Sequence, residues 1–150
     1  MGYRFGLAQV LRLRVLATDE EERTLTRIHQ EIAQLKAGVS RAETDLEDTA
    51  AVRQRSFAQS ALPAMHLHAS YAATQAARER AAQLKEQLVR FEDLRTQQVA
   101  KYSDAYRKRE TLAGLAKAHR AAWDERSERM ETRTIEDAFL AKWLRTRAEL

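Results

Sequence analysis

The chain has 150 residues, a net charge of +4 and a pI near 9.6, with four glycines, one proline and no cysteine. The missing cysteines exclude a disulfide framework, a thiol nucleophile and a Cys-based zinc site, and they fit a reducing compartment. Residues DEKR make up 32% of the chain and no apolar run approaches the ~20 residues that span a bilayer, so the composition predicts long helix or coiled coil rather than a globule with a large core.

The first stretch, "MGYRFGLAQVLRLRVLA", mixes arginines with apolar residues. Arg12 and Arg14 interrupt the apolar run that a signal peptide needs. It therefore reads as mature structure in the cytoplasm.

The next stretch, "LTRIHQEIAQLKAGVSRAETDL", carries the clearest periodicity. Leu25, Ile28, Ile32, Leu35, Val39, Ala42 and Leu46 alternate steps of three and four, the seam of a two-stranded coiled coil. Gly38 lies inside that helix, at a cost of about 1 kcal/mol relative to alanine. A break follows in "SALPAM". Pro63 has no N–H to donate and drives Leu62 away from helical backbone angles, yet it suits the first turn of a new helix. The expected organisation is one coiled-coil hairpin over 1–150, with helix 1 at about 4–60, a turn at about 61–63 and helix 2 at about 63–147. At ~1.5 Å per residue the helices would run on the order of 85 and 130 Å.

Helix 2 has its own seam in Ala77, Ala81, Leu84, Leu88 and Phe91. Folding the chain at the turn sets Leu46 against Ala77, Ala42 against Ala81, Val39 against Leu84, Leu35 against Leu88 and Ile32 against Phe91. Further along, Leu11 meets Leu112 and Leu7 meets Ala116. Between these patches the seam is polar, with Arg14, Thr18, Glu21, Arg95, Gln98 and Arg109, and a looser middle stretch is expected there. Trp123 has no opposite number, because the first helix has run out. Residues from about 120 onward overhang as a lone helix.

The overhang ends in "TIEDAFLAKWLRT". Ile135, Phe139, Leu140, Trp143 and Leu144 fall on one side of a helix. A lone helix gains little stability until its apolar side packs on something. The tail therefore implies a partner, a fold-back or self-association, and a separate partner is favoured.

Catalytic signatures are absent. His66 and His68 point to different faces of a helix and make a poor metal pair. There is no phosphate-binding glycine loop, H-E-x-x-H or G-x-S-x-G. No cofactor and no small-molecule substrate are expected. The cluster "KYSDAYRKRE" sets Tyr102 and Tyr106 among bases, as a nucleic-acid contact would. Asp104 and Glu110 interrupt it, as on a solvated helix surface. Across the chain the charges are interspersed. Residues 1–60 hold nine Lys/Arg and nine Asp/Glu, and residues 61–150 hold seventeen and thirteen, so specific nucleic-acid binding is not expected.

The two ends resemble the FliJ family of flagellar export proteins. Tyr3, Phe5, Leu7, Val10, Leu11 and Arg14 follow its opening F-x-F-x-L-x-x-V-L-x-x-R pattern, with Tyr3 in place of the first phenylalanine. Glu131, Arg133, Ile135, Glu136 and Asp137 match its E-Q-K-x-hydrophobic-D-E pattern in kind, with Thr132 where glutamine is usual and the two acids exchanged. Tyr71 is similar to a tyrosine common after the turn in these proteins. The resemblance implies an antiparallel coiled coil like the central stalk of rotary ATPases. It implies a non-enzymatic component of the flagellar type III export apparatus, peripheral to the inner membrane at the flagellar base. Its partners would be the hexameric export ATPase, the membrane export gate and export chaperones. The two end motifs, with Phe139 and Trp143, would dock in the ATPase ring, and Tyr71 would meet the gate or a chaperone. Three alternatives stand beside this reading: the stalk of a virulence secretion system, a basic coiled-coil arm that binds nucleic acid, and a self-assembling coiled coil.

Overall fold

The computed structural model describes residues 2–58 and 64–148. It consists of two helices, α1 (Ala8–Ala58) and α2 (Ala64–Ala148), with no strand among the described residues. They pack antiparallel as a two-helix coiled-coil hairpin with the longer helix second. The turn expected at 61–63, with Pro63, lies outside the described residues. The chain forms two compact units, one of Asp19–Ser103 and one of Met1–Thr18 with Asp104–Leu150. Each sets a segment of α1 against a segment of α2.

In the 19–103 unit, α1 shields a residue every three or four positions from Glu21 to Ser56, and α2 does the same from Leu67 to Tyr102. Ile32, Ala42 and Ala81 are its buried apolar residues. Leu25, Ile28, Leu35, Val39 and Leu46 are half-buried, as are Ala77, Leu84, Leu88 and Phe91. A single partner helix covers a seam residue from one side only, so partial burial is the rule in such a pair. The pairing is visible at Gly38, where a methyl group built on the Cα would lie 3.6 Å from Leu84 Cδ1. Ion pairs flank the seam, Lys85 Nζ to Glu43 Oε1 at 2.7 Å and Lys36 Nζ to Glu92 Oε1 at 3.7 Å. Exposed pairs of this kind are worth up to about 1 kcal/mol each.

The polar seam positions depart from the expected loose stretch. Gln98 is buried, and its Nε2 donates to the backbone oxygen of Glu21 at 3.1 Å and to the Glu21 carboxylate. Thr74, also buried, donates from Oγ1 to Ser70 O at 2.8 Å and accepts from Arg53 Nη2. The Arg53 guanidinium stands 4.9 Å from the centroid of the Tyr71 ring, while its Nε is buried without an acceptor among the described residues. In the other unit Thr18 is only 1% exposed. Its hydroxyl lies 2.8 Å from Arg14 O and 3.3 Å from Ala105 O on the facing helix. Small or hydrogen-bonded polar side chains fit a narrow seam as closely as leucine does, because their polar atoms keep partners when water leaves.

Helix 1 begins at Ala8, not near residue 4. Residues 2–5 have no regular structure, and Ala8 N donates to Phe5 O at 3.1 Å, a turn rather than a helical bond. Gly2 and Gly6 disfavour helix in this short stretch.

Gly38 yields a signed prediction. An added Cβ would meet Leu84 at ordinary van der Waals distance, 3.6 and 3.8 Å from its two methyl carbons. Gly38→Ala is therefore expected to raise stability by about 0.5–1 kcal/mol in urea unfolding, through helix propensity. A loss of stability would mean that the helices approach more closely at this layer.

Candidate docking end

The opening motif and the end motif fall in the same unit, of residues 1–18 and 104–150, but the opening residues contact α2 at Ala116–Trp123, and residues 131–137 lie exposed beyond them. Tyr3 lies against α2. Its hydroxyl donates to Ala116 O at 3.2 Å, and its ring sits 5.5 Å from that of His119 and 5.8 Å, edge-on, from that of Trp123. Phe5 packs at 5.7 Å on the other contact of His119. Arg120 places its guanidinium 4.7 Å from the Tyr3 ring and 5.2 Å from the Trp123 ring. Asp124 holds it there, its two carboxylate oxygens at 3.0 and 3.1 Å from Arg120 Nε.

This clamp corrects the expectation that Trp123 has no opposite number. The pairing that sets Leu7 against Ala116 sets Tyr3 against Arg120, and the Tyr3 side chain makes its contacts around that layer, from Ala116 to Trp123, so that Trp123 is covered from one turn away. Sequence reading missed His119, Arg120 and Asp124 as members of the clamp. The available signal was the two aromatics set between Gly2 and Gly6.

Leu11 is half-buried, while Leu7, Val10 and Arg14 are exposed. Leu13 and Leu16, off the seam and unanticipated, are exposed as well. Beyond the clamp the character changes. Every described residue from 128 to 148 is exposed. Ile135 is 70% exposed, Phe139 68% and Trp143 47%, and Leu140 and Leu144 are also open. Arg147 covers part of Trp143, with its guanidinium 4.8 Å from the ring. Glu131, Arg133, Glu136 and Asp137 lie exposed on the same stretch of helix. The tail thus presents large apolar side chains that its own chain leaves uncovered.

Tyr71 belongs to the other unit. It is exposed except where Arg53 covers its ring, and Val52, Phe57 and Met65 are exposed in the same unit. In the basic cluster around Tyr106, Lys108 and Arg109 are engaged with neighbours on the same helix. Lys108 Nζ pairs with Asp104 Oδ2 at 2.6 Å, and Arg109 stands 5.9 Å from the Tyr106 ring. The hydrogen bond from Lys108, aided by the charges of Lys108, Arg107 and Arg14, holds the Asp104 carboxyl below its usual range. Cations already committed to neighbours make a poor phosphate surface. Among the described residues no group of three His, Cys, Asp or Glu side chains is placed to hold a metal ion, and no helix is long and apolar enough to cross a membrane.

A family model described as "Flagellar FliJ protein" matches residues 3–147. This chain belongs to the FliJ family. Membership makes it a component of flagellar type III protein export, in a family of structural, chaperone-like proteins. No curated protein and no solved structure matches the chain. The match runs through both end motifs, from Tyr3 of the clamp to Arg147 beside Trp143.

The clamp is testable by itself. Trp123→Ala removes an edge-on aromatic pair and one face of the Arg120 sandwich, together worth about 1–2 kcal/mol. Stability in urea should fall by about that amount. Amide exchange at the first turn of α1 should accelerate, and helicity should be kept. Unchanged exchange there would mean that the start of the chain is held by other contacts.

Proposed function

We propose that this FliJ-family chain is a non-enzymatic stalk of the export apparatus. Its docking end enters the ring of the hexameric export ATPase, stimulates hydrolysis and links the ring to the export gate and to export chaperones, in the cytoplasm at the flagellar base. The observation that carries the proposal is the uncovered stripe of Ile135, Phe139 and Trp143 on a helix whose earlier turns are clamped. A stalk needs a rigid body and an apolar end that finds its cover in another protein. The tail meets the second need, and the hydrogen-bonded seam meets the first. Tyr71, with its exposed neighbours Val52, Phe57 and Met65, is the proposed gate or chaperone contact. The alternative of a nucleic-acid arm is weakened by the internal pairing of Lys108 and Arg109.

Large aromatics at interfaces cost about 2 kcal/mol or more each on truncation. Phe139→Ala combined with Trp143→Ala should therefore reduce ring binding at least thirtyfold and abolish ATPase stimulation. The melting temperature should stay within about 2 °C of the parent, since exposed side chains away from packed features contribute little to stability. A fall in melting temperature together with lost binding would assign the stripe to a contact within the chain. Intact binding and stimulation would move the docking end elsewhere.

A further inference from the structure

In chain order the charges are interspersed. In the folded chain they separate. Residues 1–18 and 104–120 lie within one unit and hold eight Lys/Arg against two Asp/Glu, while the rest of the chain holds eighteen against twenty. The positive excess of the whole protein is therefore concentrated here. The two acids do little to offset it. Asp104 is held by Lys108, and Glu110 stands about 140° around α2 from Leu115. Arg12, Arg14 and Arg107 form no ion pair among the described residues.

The same segments expose aliphatic side chains. Leu13 is 66% exposed and Leu16 58%, and Val10 and Leu115 are also open. At about 100° per residue, Val10, Leu13, Leu16 and Ala17 share an arc of about 120° on α1. Gln9 is the one polar residue inside it. Arg12 and Arg14, both exposed, stand about 40° beyond its two edges. The arc carries no acid until Glu20, one turn past Leu16, which closes it. Leu115 precedes the seam residue Ala116 as Val10 precedes Leu11, and residues so placed in an antiparallel pair stand on one flank. The arc therefore extends onto α2.

We infer that this face lies on a bilayer surface rich in anionic phospholipid. The leucines enter the boundary of headgroups and acyl chains, and the arginines at the edges reach the phosphates. A second copy of the chain would set one positive excess against another. Nucleic acid would take the arginines but leave the leucines in water, and the arc has no aromatic ring to stack on a base. Protein pockets take hold of large anchors such as tryptophan or tyrosine, which the tail has and this arc lacks. The contact is peripheral and reversible, since the apolar stretch is short. Ring docking, assigned to the tail, is not required for it.

Co-sedimentation of the full-length chain with vesicles tests the inference. One set is phosphatidylcholine alone, and the other is equal parts phosphatidylcholine and phosphatidylglycerol. We expect binding to the anionic set about tenfold or more above the neutral set, weakened by added salt. Leu13→Ser with Leu16→Ser, and separately Arg12→Gln with Arg14→Gln, should each reduce it about tenfold while circular dichroism shows helicity kept. Phe139→Ala with Trp143→Ala should bind vesicles as the parent does. Equal binding to both sets would overturn the inference. So would loss of binding in the Phe139/Trp143 variant, which would assign the lipid contact to the tail. If the leucine variant binds as the parent does, charge attraction alone is at work and the face is overturned. No binding to either set would leave an acidic protein surface as the occupant and overturn the inference as well.

Discussion

Two helices packed alone share a seam one side chain deep. Every layer faces a single partner and stays close to water, so each residue in it must fit and be satisfied within its own layer. The FliJ-family chain meets this constraint with apolar layers around Ile32, Ala42 and Ala81 and with polar layers that close on themselves. Thr18 and Gln98 are buried because their polar atoms are spoken for. The Gln98 layer discriminates against neighbouring registers, since a shift along the seam would take its amide away from the Glu21 oxygens that accept its hydrogen bonds, whereas Thr18 keeps Arg14 O of its own helix in any register. The polar layers therefore add specificity of pairing where leucines would add only affinity.

The same constraint explains the docking end. When α1 gives way to extended chain before Ala8, the seam cannot continue as helix against helix. Aromatic rings take over, with Tyr3 and Phe5 against His119 and Trp123 and the Arg120 guanidinium set between rings. Past that clamp no segment of the described chain covers α2. Its aromatics remain exposed on a helix whose start is firmly held. A clamped base and an open tip give a partner protein a preordered apolar surface, which lowers the entropic cost of binding.

Much of this was legible in the sequence, and the misses have physical causes. The unbroken three-four alternation from Leu25 to Leu46 carries the coiled coil, and Pro63 divides the chain into two helices. The apolar tail was readable because apolar residues at helical spacing mean the same thing in any context. The polar middle misled, because side-chain type at a seam position does not reveal whether a neighbour supplies a hydrogen bond. Thr18 and Gln98 read as weak points and are among the most shielded residues. The clamp was hidden for a different reason. Periodicity sets Tyr3 near the layer of Arg120 but does not show which side chains of the neighbouring turns meet it, because the residues before Ala8 are not helical.

The central claim is that the uncovered side of the tail, and not the tail as a whole, meets the ATPase ring. The most direct test places a photo-crosslinking amino acid at Phe139 or at Ala141, which lie on opposite sides of α2, and irradiates each protein with the assembled hexamer. The account predicts an adduct with the ATPase from position 139 and little or none from position 141. Adducts from 139 to the chain itself or to a second copy, or ATPase adducts from 141 alone, would contradict it.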